Sequence, residues 1–222
     1  MVLKAVLFDL DETLLDRNAS LRHFLKGQVE RLGDELKTFD AQRYEDEFIK
    51  WDENGYVTKE IVYKKIIEKF SIQSFSVEDL VRDYETHFHA SSIPFSQLES
   101  TLISLKEKSL KLAIISNGIT EFQHRVIKAL KVDGYFDEIL ISEEEGMKKP
   151  NKKIFLRAAE RLGVKSEECL FVGDHPDNDV RGAEAAGMTG VWKVNQFWER
   201  KKTTHEITDL NGVVLLVEQL VD

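Results

Sequence analysis

The opening stretch of the chain, residues 2–14, reads VLKAVLFDLDETL. From Val2 the segment is almost continuously apolar until it meets two acids, Asp9 and Asp11. This pattern predicts a strand that is buried on both faces, and such strands belong to parallel sheets. Asp9 and Asp11 therefore lie at the carboxyl end of the predicted first strand.

Similar short runs recur later in the sequence and predict further strands. They cover residues 110–116, 138–142, 169–173 and 189–194. Apolar residues at helical spacing lie between these runs, as in Phe155, Ala158 and Leu162. An alternation of buried strands with amphipathic helices predicts a doubly wound α/β domain with a parallel sheet. At helical spacing, the last apolar segment, residues 213–220, is predicted as a closing helix.

The segment after the first strand has a different pattern, without a buried-strand run. Apolar side chains recur at helical spacing in four stripes, at residues 21–32, 44–51, 62–70 and 77–88. With 222 residues the chain exceeds one typical domain. We therefore expect a smaller all-helical domain at residues 16–92, inserted into an α/β core made of residues 1–15 and 93–222.

The charge balance argues against nucleic acid as an extended partner. The chain has 31 Lys and Arg against 40 Asp and Glu, which gives a formal charge of −9. Such a balance opposes the field that attracts a polyanion. An anionic substrate must therefore be bound by a local metal ion or by clustered lysines.

Cysteine usage and targeting signals indicate a cytoplasmic protein. Cys169 is the only cysteine, which excludes a disulfide framework, and its apolar surroundings predict a buried, inert thiol. The chain begins without a basic segment followed by a long apolar run, so no signal peptide is expected. The longest apolar stretch is too short to span a bilayer, so no membrane association is expected. The sequence makes no prediction of the oligomeric state.

Polar residues follow the other predicted strands as well. Ser116, Asn117 and Gly118 follow the second strand, residues 173–179 (GDHPDND) end the fourth, and Lys149 precedes Pro150. Ligand sites of open α/β sheets lie outside the carboxyl ends of the strands. Four acids are expected at this place: Asp9, Asp11, Asp174 and Asp179. Their carboxylates repel one another unless a cation neutralises them, and oxygen ligands of this kind select Mg²⁺. Ser116 and Lys149 supply a donor and a positive charge for a phosphoryl group.

Four motifs occur in a fixed order: DLDETL at residues 9–14, ISNG at 115–118, Lys149-Pro150, and GDHPDND at 173–179. In these motifs the sequence resembles the haloacid dehalogenase-like hydrolases, in their phosphatase branch. The resemblance covers nearly the whole chain and implies a Rossmannoid doubly wound core, with a helical cap inserted after the first motif.

The resemblance also implies a chemistry, that of a phosphoric monoester hydrolase. Asp9 is the expected nucleophile that forms an aspartyl-phosphate, and Asp11 is the expected general acid and base. Asp9, the backbone carbonyl of Asp11, and Asp174 are the expected Mg²⁺ ligands, with Asp179 as a supporting acid. Ser116, Asn117 and Lys149 are expected to bind the phosphoryl group, Asn117 through backbone amides near it. The expected substrate is a small phosphorylated metabolite, and the branch suggests a nucleoside monophosphate.

Simpler interpretations of individual residues stay open at this stage. Asp9 and Asp11 alone are compatible with an ordinary turn, and Ser116-Asn117 with a helix N-cap. Lys148 and Lys149 are compatible with a solvated pair, although the family motif places the functional lysine before proline. No role is assigned to His175, which interrupts the last motif.

Three other functions remain as alternatives. A 2-haloacid dehalogenase would use the first aspartate against carbon without a metal, but that branch lacks the second acid that Asp11 supplies here. A sugar phosphomutase would transfer the phosphoryl group to a hydroxyl instead of water. A metabolite-binding module would keep the fold but is expected to lose the nucleophile, the metal acid or the lysine.

Overall fold

A computed structural model describes residues 2–221, and within this range the chain forms a six-stranded sheet flanked by helices. All pairings between neighbouring strands are parallel. The strands are β1 (Ala5–Phe8), β2 (Lys111–Ser116), β3 (Glu138–Ile141), β4 (Cys169–Gly173), β5 (Thr189–Lys193) and β6 (His205–Ile207). The predicted α/β class with a parallel sheet is therefore confirmed.

The strand order explains where a ligand site can form. The sheet has the order β3-β2-β1-β4-β5-β6, so β1 lies between β2 and β4. Phe8, the last residue of β1, is aligned with Ile114 of β2 and Val172 of β4. The chain adds strands first on one side of β1 and then on the other, and doubly wound sheets bind ligands where the order reverses. Residues that follow β1 and β4 thus lie side by side at this point.

The sixth strand was not predicted from the sequence. It contains only His205, Glu206 and Ile207, of which Ile207 alone is buried. A strand at the edge of a sheet does not need the continuous apolar run that marks a central strand. The hydrophobic pattern therefore carries no signal for it.

Eleven α-helices occur between residues 2 and 221. They are α1 (Arg17–Arg31), α2 (Asp34–Lys37), α3 (Ala41–Asp52), α4 (Lys59–Phe70), α5 (Val77–His87), α6 (Leu98–Glu107), α7 (Thr120–Ala129), α8 (Ser142–Glu145), α9 (Lys152–Leu162), α10 (Gly182–Ala185) and α11 (Asn211–Val221). Short 3-10 turns cover Glu53–Gly55, Phe88–Ser91, Asp133–Tyr135 and Ser166–Glu168, and Pro176–Arg181 forms a π-helical turn. None of the helices in the described range has the length and apolar character that a membrane span requires.

The chain divides into two compact units. One unit contains the chain up to Asp16 and from Pro94 onward, and the other is Arg17–Ile93. The first unit holds the sheet, and α9 packs against β2 and β3. Its core includes Cys169, which is buried as predicted, and burial raises the pKa of the thiol to about 12. At neutral pH this cysteine is therefore an unreactive thiol.

The second unit contains only helices, α1 to α5, with short turns between them. Two of its helices begin at side-chain caps: Asp40 accepts a hydrogen bond from the Arg43 amide before α3, and Ser76 forms a reciprocal capping box with Asp79 before α5. The apolar stripes of the sequence form its core. The fully buried side chains include Phe24, Leu25, Tyr44, Phe48, Val62, Tyr63, Ile66 and Leu80.

Candidate active site

Asp9 follows β1 directly, and both of its carboxylate oxygens are held by neighbouring side chains. Oδ1 accepts a hydrogen bond from Lys149 Nζ at 2.5 Å, and Oδ2 accepts one from Thr13 Oγ1 at 3.1 Å. Asp9 is 6% exposed and Lys149 is 3% exposed. A carboxylate held in this way is fixed in orientation and shielded from bulk water.

Two further acids follow β4 and join Asp9. Asp174 and Asp179 are both buried, and Asp9, Asp174 and Asp179 each bring a carboxylate oxygen within 4.8 Å of the others. Asp179 Oδ1 lies 2.7 Å from Lys149 Nζ, and its Oδ2 accepts a hydrogen bond from the His175 amide at 2.9 Å. The three carboxylates and the lysine form one cluster, which we call the acidic cluster.

The close approach of Asp179 to the end of β4 depends on a glycine. A Cβ atom at Gly173 would lie 2.4 Å from the Cβ, Cγ and Oδ2 atoms of Asp179. Carbon atoms without a bond do not approach so closely, so any side chain at position 173 would push Asp179 away. The glycine that begins the GDHPDND motif thus makes room for the acid that ends it.

The acidic cluster has more negative than positive charge. Burial raises the pKa of Asp9 to about 6, with Lys149 opposing the rise and Asp179 adding to it. Burial, followed by the charges of Asp179 and Asp9, raises the pKa of Asp174 well above its usual range. For Lys149 burial alone would lower the pKa, but the charges of Asp179 and Asp9 raise it above its usual value. All three pKa values are raised, which indicates that the cluster favours additional positive charge.

The other predicted residues lie around the acidic cluster in the same unit. Ser116 ends β2 and is 1% exposed. Asp11 follows Asp9 in the same loop, and its Oδ2 accepts a hydrogen bond from Gln123 Nε2 at 2.8 Å. The same Nε2 atom lies 2.7 Å from Ser116 Oγ. One amide therefore contacts both Asp11 and Ser116.

A family model described as haloacid dehalogenase-like hydrolase matches residues 6–193. This match covers all of β1 except Ala5, the helical unit and the strands up to β5. The chain belongs to the haloacid dehalogenase-like hydrolase family. The predicted family, with its Rossmannoid core, is thus confirmed.

Named relatives of this hydrolase are phosphatases. It is 33% identical to the glyceraldehyde 3-phosphate phosphatase of Methanopyrus kandleri, over 86% of this chain and 83% of the relative. It is 30% identical to the phosphoglycolate phosphatase of Aquifex aeolicus, over 93% of this chain and 91% of the relative. A solved structure of the HAD hydrolase YfnB from Bacillus subtilis covers all of both chains with a TM-score of 0.78 and 20% identity, which supports the fold. The prediction of a phosphoric monoester hydrolase is therefore confirmed.

Asn117 uses its side chain to hold the segment that carries the lysine of this hydrolase. Its Nδ2 donates to the Lys149 carbonyl at 3.1 Å, and its Oδ1 accepts from the Lys149 amide at 2.9 Å. Lys149 points into the acidic cluster, whereas Lys148 is exposed. This pair of hydrogen bonds fixes the backbone at Lys149. Because the Asn117 side chain is used in this way, we expect the backbone of Asn117 to make its predicted contact with the phosphoryl group.

Asp174 accepts hydrogen bonds from two side chains that were not predicted from the sequence. Asn195 Nδ2 and Trp198 Nε1 donate to Asp174 Oδ2 at 2.8 and 3.0 Å. Asn195 lies just beyond β5, so the same search of strand ends would have found it. Trp198 lies in a segment without regular structure, and no sequence pattern pointed to it.

His175 has a structural role in the last motif. Its Nδ1 accepts hydrogen bonds from the amides of Asp177 and Asn178 at 3.0 and 3.1 Å, which caps the π-helical turn. Because Nδ1 is an acceptor here, it carries no proton. Burial also lowers the pKa of this imidazole, which keeps the ring neutral. The ring of Trp198 packs on it with 4.1 Å between centroids.

Proposed function

We propose that this hydrolase is a Mg²⁺-dependent phosphatase that hydrolyses a small phosphorylated metabolite through an aspartyl-phosphate at Asp9. The acidic cluster carries this proposal. Its three buried carboxylates and one ammonium bear a formal charge of −2. A buried site of this charge favours a divalent cation together with a small anion that supplies the remaining ligands.

The donor set suits magnesium. All candidate ligand atoms are oxygens, which select a hard cation and exclude the sulfur and nitrogen sites typical of zinc. We assign the ion to the side chains of Asp9 and Asp174 and to the backbone carbonyl of Asp11. Asp179 supports the site, since its two oxygens already contact Lys149 and the His175 amide. When bound, the ion neutralises negative charge on the phosphoryl oxygens and on the cluster.

Asp9 attacks the phosphorus atom. Thr13 and Lys149 orient its carboxylate, so that the attacking oxygen is presented without rotation of the side chain. The Lys149 ammonium and the Ser116 hydroxyl hold the phosphoryl oxygens, assisted by backbone amides near Leu10 and Asn117. Charge stabilisation of this kind accounts for most of the catalysis of phosphoryl transfer.

Asp11 moves the proton in both half-reactions. As the bond between phosphorus and the leaving oxygen breaks, the leaving oxygen takes the electron pair and the Asp11 proton, and Asp9 gains the phosphoryl group. In the second half-reaction Asp11 takes a proton from water while the water oxygen bonds to phosphorus. The bond between Asp9 and phosphorus then breaks, which restores the Asp9 carboxylate and releases inorganic phosphate.

We assign the substrate to the short-chain phosphate monoesters. The two named relatives act, by their names, on glyceraldehyde 3-phosphate and phosphoglycolate, which are both small and anionic. The net charge of −9 is compatible with a small anion bound next to a local cation. The nucleoside monophosphate suggested by the sequence has no similar support and enters the test as a second substrate class.

A phosphate-release screen with and without Mg²⁺ tests this function. It includes glyceraldehyde 3-phosphate, phosphoglycolate, nucleoside monophosphates and p-nitrophenyl phosphate. We expect Mg²⁺-dependent release that favours the short-chain esters and is lost in Asp9→Asn. The control variant Asp133→Asn alters an exposed acid of the same unit and should keep the wild-type rate.

Each contrary outcome of this screen has a definite meaning. Release that is retained in Asp9→Asn, or that is unaffected by a chelator, contradicts the proposed mechanism. Chloride release from a 2-chloro acid without phosphate release favours a dehalogenase. Transfer of the phosphoryl group to a sugar hydroxyl favours a phosphomutase.

A further inference from the structure

Gln123 is a buried polar residue that neither the motifs nor the proposed mechanism uses. It lies on α7 and is 3% exposed. We propose that Gln123 is a positioning residue that holds the Asp11 carboxyl for proton transfer to the leaving group. This inference rests on the proposed phosphatase function and deepens it.

The contacts of the Gln123 amide define its orientation. Nε2 lies 2.8 Å from Asp11 Oδ2, 2.7 Å from Ser116 Oγ and 3.4 Å from the Asn117 carbonyl. An ionised carboxylate only accepts hydrogen bonds, so the NH₂ group of the amide has to face Asp11. The amide therefore ties the expected proton donor to the hydroxyl that is expected to bind the phosphoryl group.

Burial of the Gln123 side chain does not favour folding. Its Oε1 is buried and has no hydrogen-bond partner within residues 2–221. A buried carbonyl oxygen without a partner opposes folding, and an apolar side chain of the same length would fill the space without this cost. A purely structural role therefore does not explain a glutamine at this position.

The turn after β2 also leaves space for this side chain. A Cβ atom at Gly118 would lie 2.9 Å from Gln123 Cγ and 3.0 Å from Nε2. Such distances are too short, so a side chain at position 118 would displace the amide from Asp11. The ISNG motif thus contributes a glycine that admits Gln123 next to Ser116.

The amide determines how Asp11 carries its proton. Oδ2 accepts the hydrogen bond from Nε2, so the transferable proton is on Oδ1. When the bond from phosphorus to the leaving oxygen breaks, that proton passes to the leaving oxygen and Asp11 becomes a carboxylate that Gln123 stabilises by donation. Because Gln123 Nε2 also contacts Ser116 Oγ, it keeps the Asp11 carboxyl at a fixed distance from the phosphoryl group that Ser116 is expected to bind.

The dependence of the rate on the leaving group tests the role of Gln123. Gln123→Met keeps the length of the side chain and removes the amide. An alkyl phosphate needs a proton on its leaving oxygen, whereas p-nitrophenolate departs without one. We expect kcat/KM to fall by about 100-fold for the alkyl ester and by only about threefold for p-nitrophenyl phosphate. Because kcat/KM covers steps only up to the first irreversible one, hydrolysis of the intermediate does not affect this comparison.

A matched control separates positioning from packing. Gln28→Met replaces another fully buried glutamine, which bonds to Tyr63 and Asp83 in the helical unit, and should leave the ratio of the two kcat/KM values unchanged. If Gln123→Met does not fold, as judged by circular dichroism, Gln123→Leu also removes the donors and adds no charge next to Asp11. The same selective loss is expected.

The outcomes distinguish the two levels of the proposal. Equal loss on both substrates in the Gln123 variants, or no loss, overturns the positioning role and leaves the phosphatase function intact. Absence of phosphate release by the wild-type enzyme overturns the proposed function, and the role of Gln123 with it.

Discussion

Lys149 Nζ lies 2.5 Å from Asp9 Oδ1, and both side chains are almost completely buried. The ammonium also lies 2.7 Å from Asp179 Oδ1, so one cation is shared by two acids. Charges in such surroundings interact strongly because little water screens them. The lysine therefore has two consequences, one for the folding of the acidic cluster and one for its chemistry.

Replacing Lys149 by Met should impair both stability and activity. Without the ammonium three buried acids lack a counter-charge, which is expected to lower the free energy of unfolding by about 3–5 kcal/mol at neutral pH. Phosphate release should be lost because the phosphoryl oxygens lose their cation. Urea unfolding and the phosphate-release assay measure the two effects.

The neighbouring lysine provides the control for this variant. Lys148 is exposed, so Lys148→Met should change neither the free energy of unfolding nor the rate. Adding Mg²⁺ should restore part of the stability that Lys149→Met loses, since the ion supplies positive charge to the same acids. Equal behaviour of the two variants would contradict the role assigned to Lys149.

Stabilisation by Mg²⁺ should depend on pH. In the metal-free protein the pKa of Asp9 rises from 3.8 to about 6, so between these values the folded state binds more protons than the unfolded state. Its contribution to stability is therefore present at low pH and is lost as the pH rises through about 6. The ion binds the ionised acids, so its stabilising effect must grow over the same window.

Thermal unfolding at about pH 5 and about pH 7.5, with and without Mg²⁺, measures this dependence. At a Mg²⁺ concentration of roughly 100 times Kd, the gain at the higher pH should be about 2.7 kcal/mol. This corresponds to a rise in Tm of roughly 5–10 °C for a chain of this size. At the lower pH the rise in Tm should be less than half as large. Asp174→Asn should abolish the Mg²⁺-dependent rise in Tm. Equal shifts at the two pH values would argue against binding at these acids.

Trp198 should affect the affinity for Mg²⁺ through Asp174. Trp198→Phe removes the N–H that donates to Asp174 Oδ2 and keeps an aromatic ring next to His175. Loss of a donor that orients a metal ligand is expected to weaken Mg²⁺ binding about 10-fold. A Mg²⁺ titration followed by thermal unfolding measures the affinity without relying on activity.

The control for this variant is another tryptophan. Trp51→Phe alters α3 in the helical unit and should leave the Mg²⁺ titration unchanged. At saturating Mg²⁺ the kcat of Trp198→Phe should return close to the wild-type value, because Asp174 still has Asn195 as a donor. An unchanged half-saturating concentration in Trp198→Phe would show that this contact does not support the ion.

The parallel sheet could be predicted because central strands require a recognisable hydrophobic pattern in the sequence. All four residues of β1 and all five of β4 are buried, which requires a continuous apolar run. Acids directly after such runs, as at Asp9 and Asp174, could therefore be expected at one edge of the sheet. The edge strand β6 has no such requirement, and it was missed for that reason.

The partners of the acids could not be predicted in the same way. Gln123 belongs to α7, and nothing in the spacing of that helix says that one of its polar residues contacts Asp11 and Ser116. Lys148 and Lys149 have the same side chain, so only the family motif before Pro150, and no local pattern of the sequence, favoured Lys149 as the partner of Asp9. Such choices depend on tertiary packing, which the pattern of the sequence does not encode locally.

Asp9 is expected to carry the phosphoryl group during turnover, and trapping this intermediate tests the proposed mechanism most directly. Asp11→Asn removes the base that activates water, and p-nitrophenyl phosphate needs no acid in the first step, so the intermediate should accumulate in this combination. Acid quenching followed by mass spectrometry of peptides locates the added group. We predict one phosphoryl group on the peptide that contains Asp9, dependent on Mg²⁺ and absent from the double variant with Asp9→Asn. Release of p-nitrophenol by Asp11→Asn without any phosphoryl group on that peptide would contradict the account.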